Sequence, residues 1–332
     1  MSGRANPEVE QAAVVAALES GRASGDGAPL RRIDTHMSHL FLGRTHVYKL
    51  KRAVAHPFAD MSTLAARRAA CEAELAVNAA LAPAIYEAVA PVVLRPDGTI
   101  GLGGEGRAVD WVVRLRRFPD GALFSELARA GTLSAALVRE AVDAVAAFHA
   151  SSPPRRDAGH AADYLRIVEG LRVTEVEAAA RLGLSCASEP LFAAIEHEIT
   201  RHTPLIEARR RAGRVRRGHG DLHLRNVCLF EGRATPFDAL EFDPSLATAD
   251  VLYDIAFLIL DLRAHGLDAL AETARERYWA AAAEPAAACA LLPLFTALRA
   301  AVRVAVAVEA GDLETAARYR ALSLGIMTGE PG

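Results

Sequence analysis

The hydrophobic period of this chain changes at FPDG, residues 118–121, and that change limits the folds open to it. Between about residue 30 and residue 118 the apolar side chains come in short runs bounded by turn residues. LFL at 40–42, HVYKLKR at 46–52, VAPVVLRP at 89–96 and AVDWVVRLRRF at 108–118 read as strands, and PDG at 96–98 as a turn. One long helix is expected among them, from an N-cap at Ser62 or Thr63 to about Leu81. Past residue 121 the helical period takes over in 122–130, 134–150, 163–182 and 189–210, and again from about 249 to 325. NVCLF-EGR-ATPFDAL at 226–240 interrupts these helices and reads as a hairpin turning at Glu231, Gly232 and Arg233. A further helix at 7–20 leads the chain. The expected plan is α+β in two lobes: a leading segment 1–29, a small antiparallel sheet with one inserted helix over 30–118, and a mainly helical lobe over 119–332.

With 332 residues, 52% of them hydrophobic and 24% charged, the chain can bury a sizeable core. A net charge of -3 supplies no general attraction to nucleic acid or to an anionic membrane, and neither is expected as a partner. The late uncharged run PAAACALLPLFTAL at 285–298 is too short to span a bilayer. The start, MSGRANPEVEQ, carries acidic residues where a secretory signal would be apolar. Cys71, Cys186, Cys228 and Cys289 lie far apart with no CxxC spacing, which points to reduced thiols in the cytoplasm. Oligomeric state is not legible in the sequence. ARRRAGRVRR at 208–217 is either a solvated helix end or a phosphate-facing patch.

Chemistry concentrates in RRGHGDLHLRN at 216–226, where His219, Asp221, His223 and Asn226 crowd one short loop. Three readings are open. The residues are turn and cap groups, or His219, Asp221 and His223 are ligands of a metallohydrolase zinc, or the loop serves phosphoryl transfer. The last reading follows from the interval of five between Asp221 and Asn226, which is that of the protein-kinase catalytic loop. Phosphoryl transfer needs a carboxylate at the acceptor hydroxyl, an amide oxygen on magnesium and a second carboxylate on the same ion. Asp238, at the far end of the hairpin, is expected to return toward Asn226.

Lysine use is the second signal. All basic side chains of the chain are arginine except Lys49 and Lys51, two residues apart in HVYKLKR. On a strand both face one side, with Tyr48 and Leu50 on the other. A compact ammonium fits a slot that refuses the planar guanidinium fork. The alternative is that two lysines survive by chance on a solvated edge. The inserted helix offers Glu72 and Glu74 as partners; Glu74 lies seven residues before Leu81 and so shares its buried face.

These segments together resemble the aminoglycoside phosphotransferase-like family, small-molecule kinases of the protein-kinase-like fold. HGDLHLRN resembles their catalytic loop, FDALEF their magnesium-binding strand end, and ATADVLYDIAFLILDL at 247–262 the helix that follows. THMSHLFLGRTHVYKLKR, CEAELAVNAALAPAIY and FDALEFD resemble an uncharacterised bacterial branch of that family, over roughly residues 30 to 265. The resemblance implies an ATP- and magnesium-dependent kinase for a small hydroxyl-bearing acceptor. It implies a catalytic set of Asp221 as base with Asn226 and His219, and magnesium on Asn226 and Asp238, with Glu241 or Asp243 sharing or replacing Asp238. Lys49 would meet the α- and β-phosphates, steadied by Glu74. The resemblance gives Lys51 no role; facing the same way as Lys49, it is expected at the cleft mouth or the γ-phosphate. Ser38 would cover phosphates where relatives have a glycine-rich loop, and LRRFPDG, with Arg116 and Phe118, would be the hinge beside adenine. A non-catalytic, pseudokinase-like nucleotide binder is the competing reading. The acceptor is not specified, and Asp250 and Asp254 fit an acidic acceptor site as well as caps or braces of the loop.

Overall fold

The computed structural model describes residues 7–56, 59–183 and 187–328. The chain forms two compact units, one of residues 1–120 with 237–244, the other of residues 121–236 with 245–332. The stretch FDALEFDP therefore belongs with the sheet-bearing unit, although it follows the hairpin of the helical one.

In the first unit, helix α1 (Pro7–Glu19) precedes strands β1 (Arg31–Asp34), β2 (Ser38–Leu42) and β3 (His46–Lys51). A two-residue pair, β4 (Ala55–His56) with β5 (Ala59–Asp60), leads to helix α2 (Leu64–Leu81), and then to β6 (Tyr86–Leu94), β7 (Ile100–Leu102) and β8 (Arg107–Arg116). Six strands form one sheet in the order β1-β2-β3-β8-β6-β7, and every pairing described within it is antiparallel. Alternation along β3 divides its side chains. Tyr48 and Leu50 pack with Leu18, Phe41, Val92 and Val112 in the core shared with α1, so Lys49 and Lys51 fall on the opposite face, toward α2. Thr63 caps α2 by accepting from the Ala66 N–H at 3.1 Å. Short strands β1 and β7 escaped the sequence reading, because four exposed residues and three residues around a glycine carry little period.

The second unit holds α3 (Phe124–Arg129), α4 (Ala135–Ser151), α5 (Ala161–Leu182) and α6 (Glu189–Arg211), then β9 (Val215–Arg217). A single 3-10 turn, Leu224–Asn226, leads into the hairpin β10 (Val227–Phe230) and β11 (Arg233–Pro236). Phe230 pairs with Arg233 across a two-residue loop in which Glu231 (φ 50°) and Gly232 (φ 78°) are both left-handed, the geometry that matches strand twist. Strand β12 (Thr248–Asp250) pairs with β9, and α7 (Val251–Ala264), α8 (Asp268–Ala281), α9 (Leu292–Glu309) and α10 (Leu313–Thr328) complete the unit. Residues Ala286–Glu309 are long and apolar enough to cross a membrane, which exceeds the run expected at 285–298. Since 78% of the most apolar window is buried in the protein, this is a core helix; Leu294, Phe295, Leu298 and Ala301 pack with Tyr164, Leu252, Ile255 and Ile259. Cys71 and Cys228 are buried free thiols and Cys289 an exposed one, while Cys186 lies outside the described residues.

Three arginines of the basic run 208–217 turn inward, while Arg211, at the end of α6, is exposed as a solvated helix end would be. Arg209 is buried against Asp250 at 2.7 and 2.8 Å and against Glu284, Arg214 binds the carbonyls of Ala282 and Ala283, and Arg216 those of His149, Ala150 and Ser152. These guanidiniums are spent on internal acceptors.

Candidate active site

The first unit carries a chain of alternating charge. Glu74 is wholly buried on α2; its Oε1 lies 2.9 Å from the Lys49 ammonium and its Oε2 2.5 Å from that of Lys51. Lys49 continues to Asp238 Oδ1 at 2.6 Å, and Lys51 to Glu241. Glu72, by contrast, pairs with Arg68 on the exposed side of the helix. Burial alone would push both ammonium groups down, but Asp238 and Glu74 hold Lys49 well above its ordinary value, and Glu74 and Glu241 raise Lys51. Burial works against an ionised Glu74 as well, and the two lysines overcome it, holding the carboxyl well below its ordinary value. All three groups are therefore charged at neutral pH. Tyr86 reaches Glu74 at 3.5 Å, and its phenol is raised by burial and by that carboxylate.

Asn78, one helical turn after Glu74, fixes the segment that brings the other carboxylates. Its amide donates to the Ala239 carbonyl at 3.0 Å and accepts from the Ala239 N–H at 2.7 Å, as a neighbouring strand would. Asp238 stands beside it in the left-handed region (φ 61°), a conformation that Asp tolerates better than most residues. Gln11 of α1 does the same for the lysine strand, donating to the Lys51 carbonyl at 2.8 Å and accepting from Ala53 N–H at 3.0 Å. Neither Asn78 nor Gln11 stood out in the sequence. The available signal was a buried polar residue at the i+4 spacing from Glu74. Ser38 pairs with Lys51 in register, and its buried hydroxyl makes no hydrogen bond. The Arg116 N–H donates to Ile85 O at 2.8 Å, and the Phe118 ring packs on Phe237 at 5.2 Å.

The second unit carries the loop. Asn226 donates through Nδ2 to the Asp221 carbonyl at 2.9 Å and carboxylate at 3.1 Å, which leaves its amide oxygen, the atom a hard cation takes, out of both bonds. His223 Nε2 lies 3.3 Å from Asp221 Oδ2, its ring edge-on to Phe257. Burial pushes the Asp221 carboxyl up, but His223, His219 and Arg299 outweigh it and hold the group far below its ordinary range. With 42% of that side chain exposed, solvent tempers the effect without reversing it.

The loop is pinned from beneath by backbone bonds. Asp254 of α7 accepts from the N–H groups of His219 and Gly220, each at 2.8 Å, and lies 3.0 Å from His149 Nε2. Arg299 of α9 donates to the Gly220 carbonyl at 3.1 Å and stacks on Tyr253, and Asp261 accepts from the Leu224 N–H at 2.8 Å. Asp250 caps α7 through Leu252 N–H and pairs with Arg209. Asp250 is thus a cap and Asp254 a brace of the loop. Among the described residues no group of three His, Cys, Asp or Glu side chains stands as a metal site, so the zinc reading of His219, Asp221 and His223 loses its geometric basis.

A sheet with one inserted helix holding a lysine–glutamate pair, and a helical unit presenting an Asp-x4-Asn loop, define the protein-kinase-like fold. Comparison with solved structures finds the same fold in small-molecule kinases. Choline kinase from Cryptosporidium parvum superposes with a TM-score of 0.54 at 12% identity, covering 90% of this chain and 89% of its own. The GDP complex of aminoglycoside 2'-phosphotransferase-IIIa gives 0.55 at 14% identity, covering 96% and 99%. What is shared at such identity is the fold: the chain has the fold of aminoglycoside phosphotransferases and choline kinase. No family model matches it. An uncharacterised protein of Mycobacterium tuberculosis strain H37Rv is 28% identical over 280 residues, 82% of this chain and 53% of that one, so the chain spans about half the length of the curated relative it matches.

Proposed function

We propose that the chain is an ATP-dependent kinase that transfers the γ-phosphoryl group to a hydroxyl of a small molecule. The observation that carries the reading is the pairing of Lys49 on the sheet with a fully buried Glu74 of α2, in a chain that also presents an ionised Asp221 held by Asn226. In the reaction the acceptor oxygen bonds to phosphorus as its proton passes to the Asp221 carboxylate, and the bond to the ADP oxygen breaks. An aspartate held below its ordinary range is ionised at neutral pH, the state that orients the acceptor hydroxyl. The same shift makes it a weak base that takes the proton only as the bond to phosphorus forms. Lys49 meets the phosphates, and Glu74 keeps its ammonium from settling wholly on Asp238.

Hard oxygen donors fit magnesium: the Asn226 amide oxygen, and Asp238, whose carboxylate is 39% exposed and singly paired with Lys49. Magnesium there would neutralise charge building on the phosphates. Arg116 and Phe118 are assigned to the adenine side, and Ser38, with its unused hydroxyl, to the phosphates. The unbonded thiols suit a reducing, cytoplasmic setting. The test is incubation of the protein with Mg-ATP and a pooled metabolite extract, followed by mass spectrometry. Metabolites heavier by one phosphate are expected; ADP release with no phosphorylated metabolite would leave an ATPase or nucleotide sensor instead.

A further inference from the structure

The kinase reading gives Lys51 no part, yet Lys51 is the more deeply buried of the two lysines, 1% exposed against 9% for Lys49. An ammonium so placed costs several kcal/mol unless its partners are fixed. Its partners are Glu74 Oε2 and Glu241. The Glu241 side chain is 8% exposed and Asp238, three residues earlier, 39%. Two ammonium groups face three carboxylates, so the cluster has one negative charge in excess, and the only carboxylate of the three open to solvent is Asp238. Both ends of the arrangement are held by backbone: Lys51 by Gln11, and the carboxylate segment by Asn78 at Ala239.

We propose that Lys51 is a positioning residue that makes Glu241 a fixed counterion instead of a metal ligand, so that Asp238 alone of this cluster is left to bind a divalent cation. The proposal rests on Asp238 as the cation's ligand in the kinase reading. It explains why the second lysine is retained. A lysine at position 51 can form an ion pair with one oxygen of Glu74 while donating a hydrogen bond to one of Glu241 through a single nitrogen. An arginine would bring a wider fork with five donors into a space closed by Ser38 and the sheet.

The test is a titration of the full chain with Mn2+ in the absence of nucleotide, free Mn2+ being read by electron paramagnetic resonance. Lys51→Met removes a unit charge and releases Glu241. It is expected to tighten Mn2+ on the order of tenfold relative to wild type. Lys51→Met/Glu241→Gln returns the affinity to within about threefold of wild type by removing the released carboxylate. No tightening in the folded single variant, or tightening that survives in the double variant, overturns the proposal. Should Lys51→Met fail to fold by circular dichroism, the double variant is expected to recover the cooperative melt; a double variant equally unfolded overturns the pairing. A second arm measures Mn2+-ADP binding: Glu241→Gln should weaken it far less than Asp238→Asn, and equal losses overturn the proposal. If wild type binds no ADP at all, the kinase reading fails by itself and the nucleotide-free arm still decides the role of Lys51.

Discussion

Replacing Asp254 with Asn tests whether the loop is held from beneath. The carboxylate accepts from two backbone N–H groups at 2.8 Å, sits 3.0 Å from His149 and 3.6 Å from the Arg299 guanidinium, and is 4% exposed. An amide keeps one accepting oxygen but turns its NH2 toward the second backbone donor, leaving a buried N–H unsatisfied at about 1–3 kcal/mol. It also leaves Arg299 without its anion. Removing one partner of a buried pair costs about 3–5 kcal/mol, but Arg299 keeps the Tyr253 and Gly220 carbonyls and its ring contact, so the low end applies. The sum is about 4–6 kcal/mol, a large share of the usual ~5–15 kcal/mol. Equilibrium urea unfolding followed by tryptophan fluorescence reads it, and Trp111→Phe isolates Trp279, the tryptophan of the second unit. The pH dependence carries a second check. Burial opposes the charged form of Asp254, but His149 and Arg299 outweigh it, so the folded pKa lies below the unfolded value of about 3.9. A depressed carboxyl contributes stability that is fully present above that value and is lost as pH falls through the folded one. The gap between wild type and variant should therefore narrow below about pH 4. A loss under about 0.5 kcal/mol, or a gap that does not change with acid, would refute the account.

Asp221→Asn should lower phosphoryl transfer by about 10²–10⁴ while Mg-ATP affinity changes little, and retained turnover removes the proposed base. Lys49→Ala should weaken binding of a fluorescent ATP analogue well beyond Arg233→Ala, whose guanidinium is 76% exposed on Glu140; equal effects end the argument from lysine scarcity. Gly218→Ala would place a methyl 2.7 Å from Asp254 Cγ, in a packed region that cannot yield without moving the brace. A loss of about 1–3 kcal/mol is expected in thermal melts, and an unchanged Tm would show that the brace can shift freely.

The parts of this arrangement that could be read from sequence are those governed by local period. Strand alternation puts Lys49 and Lys51 on one face, and the helical repeat chooses Glu74 over Glu72. The turn residues at 231–233 mark the hairpin, whose loop is one residue shorter because Arg233 already pairs with Phe230. What escaped depends on partners distant in the chain. Asn78 meets Ala239 across 161 residues and Lys49 meets Asp238 across 189. Nothing local at FDALEFDP announces that it leaves the helical unit and joins the sheet unit. The basic run 208–217 was ambiguous for the same reason, because its acceptors are carbonyls and acids brought together only by folding. In the sequence Asp254 fits a cap, a brace and an acceptor contact alike, since the choice depends on His219 and Gly220 turning their N–H groups toward α7.

The two units hold their chemical groups by different forces, and the difference predicts how each fails. In the second unit Asp254, Arg299 and Asp261 bind the backbone of the loop at His219, Gly220 and Leu224. Its course is thus largely independent of the side chains at 221 and 223, and substitutions there should change chemistry with little change in fold. In the first unit the side chains that would meet phosphate and metal are themselves the supports: Lys49 holds Asp238, Glu74 holds both lysines, and Lys51 holds Glu241. Removing any one strands a charge among groups that are mostly buried, where an uncompensated ion costs several kcal/mol. A loss of stability should therefore accompany every change of ligand affinity in single variants of this cluster, whether affinity falls, as for Lys49→Ala, or rises, as for cation binding in Lys51→Met. Only paired substitutions that remove an ammonium and a carboxylate together, such as Lys51 with Glu241, can separate them.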